Sequence, residues 1–151
     1  MKRTSFAKDR CPIARSLEVV GDWWSLLIVR DAFVGKKRFG EFQASLGVAK
    51  NILTVRLKKL LAEGVLELVP ASDGSAYQEY VLTEKGRGLF PVLVALGQWG
   101  CAESEFQVVD RKRGKRVRLE LRSEDGRKLG FADVQMVPGD GVRESDVSPC
   151  G

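Results

Sequence analysis

Residues 50–61, KNILTVRLKKLL, decide how the rest of the chain is read. At helical period Leu53, Leu57, Leu60 and Leu61 fall at i, i+4, i+7 and i+8 and make one apolar stripe. Asn51, Val55, Lys58 and Lys59 fall on the opposite side, flanked by Lys50, Thr54 and Arg56. Gly64 follows, where a helix favours a left-handed stop. One face is thus suited to anchoring in a core, while the other offers cations, an amide and a hydroxyl. A helix in a DNA major groove needs such a face: cations for phosphates, and Asn, Thr and Arg for base edges. An ordinary amphipathic surface helix with solvated charges is the competing reading.

The preceding residues favour the groove reading. Phe39 to Leu46, FGEFQASL, reads as a short helix with Phe39, Phe42 and Leu46 inward, and Gly47-Val48-Ala49 is a turn. Two helices joined by a Gly-containing turn form a helix-turn-helix. Lys36, Lys37 and Arg38 sit at the start of its first helix, within reach of phosphates; a solvated basic loop is the alternative. Ala49 stands where a Ser, Thr, Asp or Asn cap is expected. After Gly64, VLELVP (65–70) and Tyr77 to Leu82 read as two strands around a turn containing Asp73-Gly74. That hairpin completes a winged helix. Its tip, PASDGSA, carries Asp73 but no cation, which argues against a strong contribution to DNA affinity.

Upstream, Pro12 opens a helix with Ile13, Leu17 and Val20 as its stripe, stopped by Gly21. Asp22 caps a second helix, Trp23 to Val34, apolar nearly all round and expected to be central, with Trp23 and Trp24 in packing roles. Downstream, Thr83 caps a helix that Gly86 and Gly88 weaken locally. Phe90, Leu93, Leu96 and Trp99 then belong to an apolar set covering two faces, more than one domain needs, which points to a homodimer. The tail changes character. Val117, Leu119 and Leu121 alternate with Arg118, Glu120 and Arg122, Ser123 to Gly126 reads as a hairpin turn, and FADVQMVPG is a candidate third strand. The cations from Arg111 to Arg118 read as a solvated hairpin edge guarded by charge, with nucleic-acid contact as the alternative.

The expected class is therefore α+β, mainly α: a winged helix-turn-helix with a C-terminal β-hairpin extension. Its parts are a flexible arm (1–10), a DNA-binding and dimerisation domain (11–104), a small β extension (105–138) and a disordered tail (139–151).

Composition sets limits. Of 151 residues, 44% are hydrophobic, enough for a real core, and the net charge of +5 mildly favours polyanion partners. No apolar run approaches the ~18 residues of a membrane span, and no long apolar segment follows the basic N-terminus, so a cytoplasmic protein without membrane partners is expected. The three cysteines are far apart, histidine is absent, and no CxxC, GxGxxG or P-loop occurs. The reading is no metal, no cofactor and no catalytic constellation.

Taken together, Cys11-Pro12, the Trp24-Ser25-Leu26-Leu27-Ile28 block, Arg38-Phe39-Gly40-Glu41-Phe42, Leu53-Thr54 with Arg56-Leu57, Glu79-Tyr80 with Leu82-Thr83, Pro91-Val92-Leu93 and Trp99-Gly100 resemble the HxlR-type winged-helix transcriptional regulators of bacteria, relatives of the MarR regulators. The resemblance covers residues 11–100. It implies a dimeric regulator of transcription whose partner is double-stranded DNA. It makes 50–61 the recognition helix and places the dimer on the first helix and the helix through Trp99, with Pro12, Leu17, Trp23, Phe90, Leu93, Leu96 and Trp99 as candidate interface residues. It also makes Cys11 a candidate redox sensor, where the alternative is a small buried cysteine without chemistry. Some longer relatives carry a Cys-rich, zinc-ribbon-like tail; here Cys150 alone remains, and a metal-free hairpin is expected. On this reading Lys36, Arg38, Lys50 and Lys59 mostly hold phosphates, Lys37 and Lys58 are further DNA-contact candidates, and Asn51, Thr54, Val55 and Arg56 are best placed for bases or the groove wall, Arg56 alternatively bracing the hairpin. A protein-binding winged helix, and a small-molecule-responsive regulator with a pocket at the dimer seam or in the extension, are the competing functions.

Overall fold

Asp22 sets the frame. Its carboxylate accepts hydrogen bonds from the Ser25 N–H (2.9 Å) and the Ser25 hydroxyl (2.6 Å), starting the central helix at Trp23. The computed structural model describes residues 4–100 and 107–139. The chain runs α1 (Pro12–Val20), α2 (Trp23–Phe33), α3 (Phe39–Leu46), α4 (Lys50–Ala62), β1 (Leu66–Pro70), β2 (Gln78–Leu82), α5 (Glu84–Arg87), α6 (Phe90–Gly100), β3 (Leu121–Arg122), β4 (Lys128–Leu129) and a 3-10 turn, Phe131–Asp133. It divides into two compact units, Met1–Leu93 and Val94–Gly151, with the division inside α6.

The first unit is a winged helix-turn-helix. Ile28 and Val29 of α2, Phe42 of α3, Leu53, Leu57 and Leu60 of α4, and Val65 and Leu66 at the start of the wing form its core. Phe42 meets the Tyr80 ring edge-on at 6.3 Å. Gly47 takes a left-handed conformation (φ 63°), ends α3 and frees the chain to turn into α4. β1 and β2 pair antiparallel from Leu66↔Leu82 to Pro70↔Gln78. Thr83 joins wing to helix: its N–H donates to the Val65 carbonyl (3.2 Å), its hydroxyl donates to the Gly64 carbonyl, and its Oγ1 caps α5 by accepting the Gly86 N–H (3.0 Å).

Three positions gain detail from the fold. Trp24 packs at the margin of the core, while Trp23, the candidate interface side chain, is 83% exposed. Residues 5 and 6, read as a flexible arm, bond to α1: the Ser5 hydroxyl (3.3 Å) and the Phe6 N–H (3.1 Å) both donate to the Glu18 carboxylate. Gly86 lies in a helix that, as expected, is short and ends at Arg87, but it also admits a close approach: a Cβ there would lie 2.1 Å from the Val65 carbonyl oxygen.

In the second unit β3 and β4 pair through Leu121↔Leu129 and Arg122↔Lys128, closed by Gly126 N–H donating to the Ser123 carbonyl (2.8 Å). The ladder is shorter than the alternation suggests because residues 117 and 119 are engaged elsewhere. Val117 N–H donates to the Val108 carbonyl (2.8 Å), and the Gln98 side chain donates to the Val117 carbonyl (2.9 Å) and accepts the Leu119 N–H (3.3 Å). FADVQMVPG forms no strand among the described residues. Asp133 accepts the Gly130 N–H (2.8 Å) and closes a 3-10 turn in competition with any ladder. Cys101, Cys150, the first residues of the extension and nearly all of the tail read as disordered lie outside the described residues. No helix among those described is long and apolar enough to cross a membrane.

Candidate nucleic-acid interface

The α3–turn–α4 segment presents one cleanly outward stripe. Leu53, Leu57 and Leu60 anchor α4, so Asn51, Val55, Lys58 and Ala62 face out at i, i+4, i+7 and i+11, with Lys50 and Ile52 beside them. Val55 is 60% exposed and Ile52 39%. Three other candidates are turned to local work. The Thr54 hydroxyl donates to the Lys50 carbonyl one turn back (2.8 Å). Arg56 Nε lies 3.3 Å from Asp22 Oδ1, an ion pair without an aligned hydrogen bond, and so ties α4 to the cap of α2. The Lys59 ammonium donates to the Glu18 carbonyl near the end of α1. Ala49 precedes the helix without a side-chain cap.

The basic turn before α3 is built into the wing. Arg38 reaches across 35 residues to donate to Asp73 at the wing tip (2.5 Å), and its guanidinium stacks 5.3 Å from the Tyr77 ring centroid. Glu79 is buried and accepts from the Ser72 N–H (3.2 Å) and hydroxyl (3.0 Å), with the Lys37 ammonium at 3.8 Å. Burial pushes the Glu79 carboxyl up, but the Ser72 hydrogen bonds and the Lys37 and Arg38 charges outweigh it and hold it below its ordinary value. The Ser75 hydroxyl and N–H, and then Arg38, hold Asp73 well below the usual carboxylate range. Ser72, Asp73 and Glu79 are the functional supports that reading by segment missed. The signal available was the acid in the wing tip opposite an unpaired basic turn.

A group whose folded pKa is depressed contributes stability above its unfolded pKa of ~3.9, lost only as pH falls through the lower folded value. The wing tip should therefore hold its structure from neutral pH to about pH 4. Asp73→Asn or Arg38→Ala should loosen it at neutral pH, seen as faster hydrogen exchange at residues 72–77 with exchange in α4 unchanged. Unchanged exchange in both variants would show that the tip needs no anchor.

The family model of the HxlR-like helix-turn-helix matches residues 19–107. The chain belongs to that family. It is 46% identical over 88 residues to an HTH-type transcriptional regulator of Mycobacterium tuberculosis, uncharacterised beyond that name, and the match covers 58% of this chain but only 56% of that relative. YybR of Bacillus subtilis, another HTH-type transcriptional regulator, is 33% identical over 70% of this chain and 84% of its own length. Among solved structures, PA1607, a candidate transcription factor, is 52% identical and superposes with a TM-score of 0.81, covering 90% of this chain and all of that one. The oxidised form of the redox regulator HypR is 31% identical, with a TM-score of 0.56 over 64% of this chain and all of that one.

The remaining candidates of this HxlR-like chain occupy distinct settings. Pro12, Leu17 (49%), Trp23 and Phe90 (38%) are exposed, as are Leu96 (46%) and Trp99 (89%) on the second half of α6. Leu93 instead packs against the core, and Phe90 also meets the Phe33 ring at 5.1 Å. Cys11 is half-buried at the start of α1, its N–H donating to Asp9 Oδ1 (2.8 Å). Arg111, Lys112, Arg113, Lys115, Arg116 and Arg118 surround a turn held by Asp110, which accepts the Arg113 (2.6 Å) and Lys115 (2.8 Å) N–H groups. No cluster of three or more metal-ligating side chains occurs among the described residues.

Proposed function

We propose that this chain is a DNA-binding transcriptional regulator that acts as a homodimer, with α4 entering the major groove. The observation that carries the reading is the outward stripe of α4: a cation, an amide and aliphatic side chains on a helix whose opposite face is fully buried. Lys50 and Lys58 serve as phosphate contacts, helped by Lys36 and Lys37 at the start of α3, and Asn51, Thr54 and Val55 lie closest to the bases. Arg56, Lys59 and Arg38, spent on Asp22, Glu18 and Asp73, set the pose of helix and wing more than they touch DNA. The dimer is supported by the exposed apolar side chains of α1 and α6 and by Trp23, whose burial against a second copy would remove unfavourable surface. Two symmetric recognition helices would then meet half-sites about 34–36 Å apart.

The test is binding of the full chain to labelled DNA fragments across a salt series. Sequence-selective binding with a steep salt slope is expected, and Lys58→Gln should lower that slope by about one phosphate contact while keeping the sequence preference. A flat salt slope, or no selectivity, would move the family fold to protein partners.

A further inference from the structure

Resting on that reading, the structure says what kind of sequence α4 recognises. Guanine is most commonly read by an arginine or lysine reaching its O6 and N7. The one arginine of α4, Arg56, is held beside Asp22 with its side chain three-quarters buried, and Lys59 is bound to the Glu18 carbonyl. Lys50, beside the stripe, and Lys58, within it, remain as flexible point charges suited to phosphates. Between them the outward surface is the Asn51 amide and, beyond it, aliphatic side chains. Val55 and Ile52 are exposed, and Thr54 has its hydroxyl proton committed to the Lys50 carbonyl, leaving a methyl group and lone pairs. The thymine C5-methyl is the major-groove feature that apolar side chains and a threonine methyl contact, and the amide of Asn51 pairs with adenine N6 and N7.

We infer that the recognition helix reads thymine methyl groups through Ile52, Thr54 and Val55, with Asn51 on an adenine, so that the operator half-site is defined by A·T pairs. Exposed aliphatic side chains on a groove-facing helix gain only where a methyl group covers them. Guanine contacts are secondary because the arginine that would make them braces the fold.

The experiment starts from duplexes selected by the full-length protein out of a randomised pool, so no operator need be known. The selected half-sites should share A·T pairs at fixed positions. Each thymine is then replaced by deoxyuridine, which removes the methyl and leaves every hydrogen-bonding group. Affinity is expected to fall about fourfold for each methyl read, the scale of burying one methyl group. In Val55→Ala, which alters an exposed side chain, one of these positions should lose its preference for thymine over uracil while the salt slope stays the same. Selected duplexes bound equally well with deoxyuridine throughout would overturn this inference and leave the regulator reading standing. A pool yielding no preferred sequence would overturn both.

Discussion

Replacing Leu57 with alanine is expected to destabilise the winged-helix unit by about 2–5 kcal/mol. Leu57 is 1% exposed and occupies the middle of the inward stripe of α4, between Leu53 and Leu60, both fully buried. Its neighbours in the core are contributed by α2, α3 and the wing, elements held by their own contacts, so they cannot collapse far into the space left behind. The residual cavity then adds to the lost transfer energy. Against a total stability of ~5–15 kcal/mol this is a large fraction, and the melting temperature should drop by roughly 10 °C or more. Val55→Ala is the control: on the same helix but 60% exposed, it should change stability by no more than ~0.5 kcal/mol. Urea unfolding of both variants reads the difference. A cost below 1 kcal/mol for Leu57→Ala would mean that α4 is not anchored by this stripe.

The second large effect is expected at Gly86. Alanine is the better helix former by up to ~1 kcal/mol, so propensity alone favours Gly86→Ala. Packing reverses the sign. The added Cβ would sit 2.1 Å from the Val65 carbonyl oxygen and 3.0 Å from Leu82 Cδ2. That carbonyl cannot easily give way, because it accepts the Thr83 N–H (3.2 Å), and the Thr83 hydroxyl is bonded to the adjoining Gly64 carbonyl. Separating α5 from β1 would break this junction, and the overpacking should cost about 1–3 kcal/mol or more. Gly40→Ala makes the same chemical change in α3 where no atom lies within 4 Å of the new Cβ, and should be neutral or slightly stabilising. Thermal melts of the pair separate packing from propensity: equal behaviour of the two variants would remove the close-approach argument.

Much of this chain is legible from local chemistry. The 3.6-residue spacing of Leu53, Leu57 and Leu60 places α4 and its buried face; Asp22 and Thr83 mark helix starts; Asp73-Gly74 marks the wing turn. Each is a signal contained within a few residues. The misjudged positions share a different cause. Gly86 looks like a flaw within its own helix and becomes necessary only when Val65 lies against it. Phe131 to Gly139 alternates like a strand but has no ladder to join, because Asp133 closes a turn first.

The same division runs through the candidate interface. By itself the sequence determined the winged helix-turn-helix and the side of α4 that faces out, because these follow from periodicity and turn chemistry over short spans, and its motifs carried the resemblance to the family. Which of the cations remain available was decided by the tertiary structure alone. Arg38 meets Asp73 across 35 residues and Lys59 meets Glu18 across 41, while Arg56 is drawn to Asp22. A guanidinium or ammonium looks alike in every sequence; its role depends on which carboxylate or carbonyl the fold brings within about 3–4 Å, since at that range a partly desolvated partner outcompetes water.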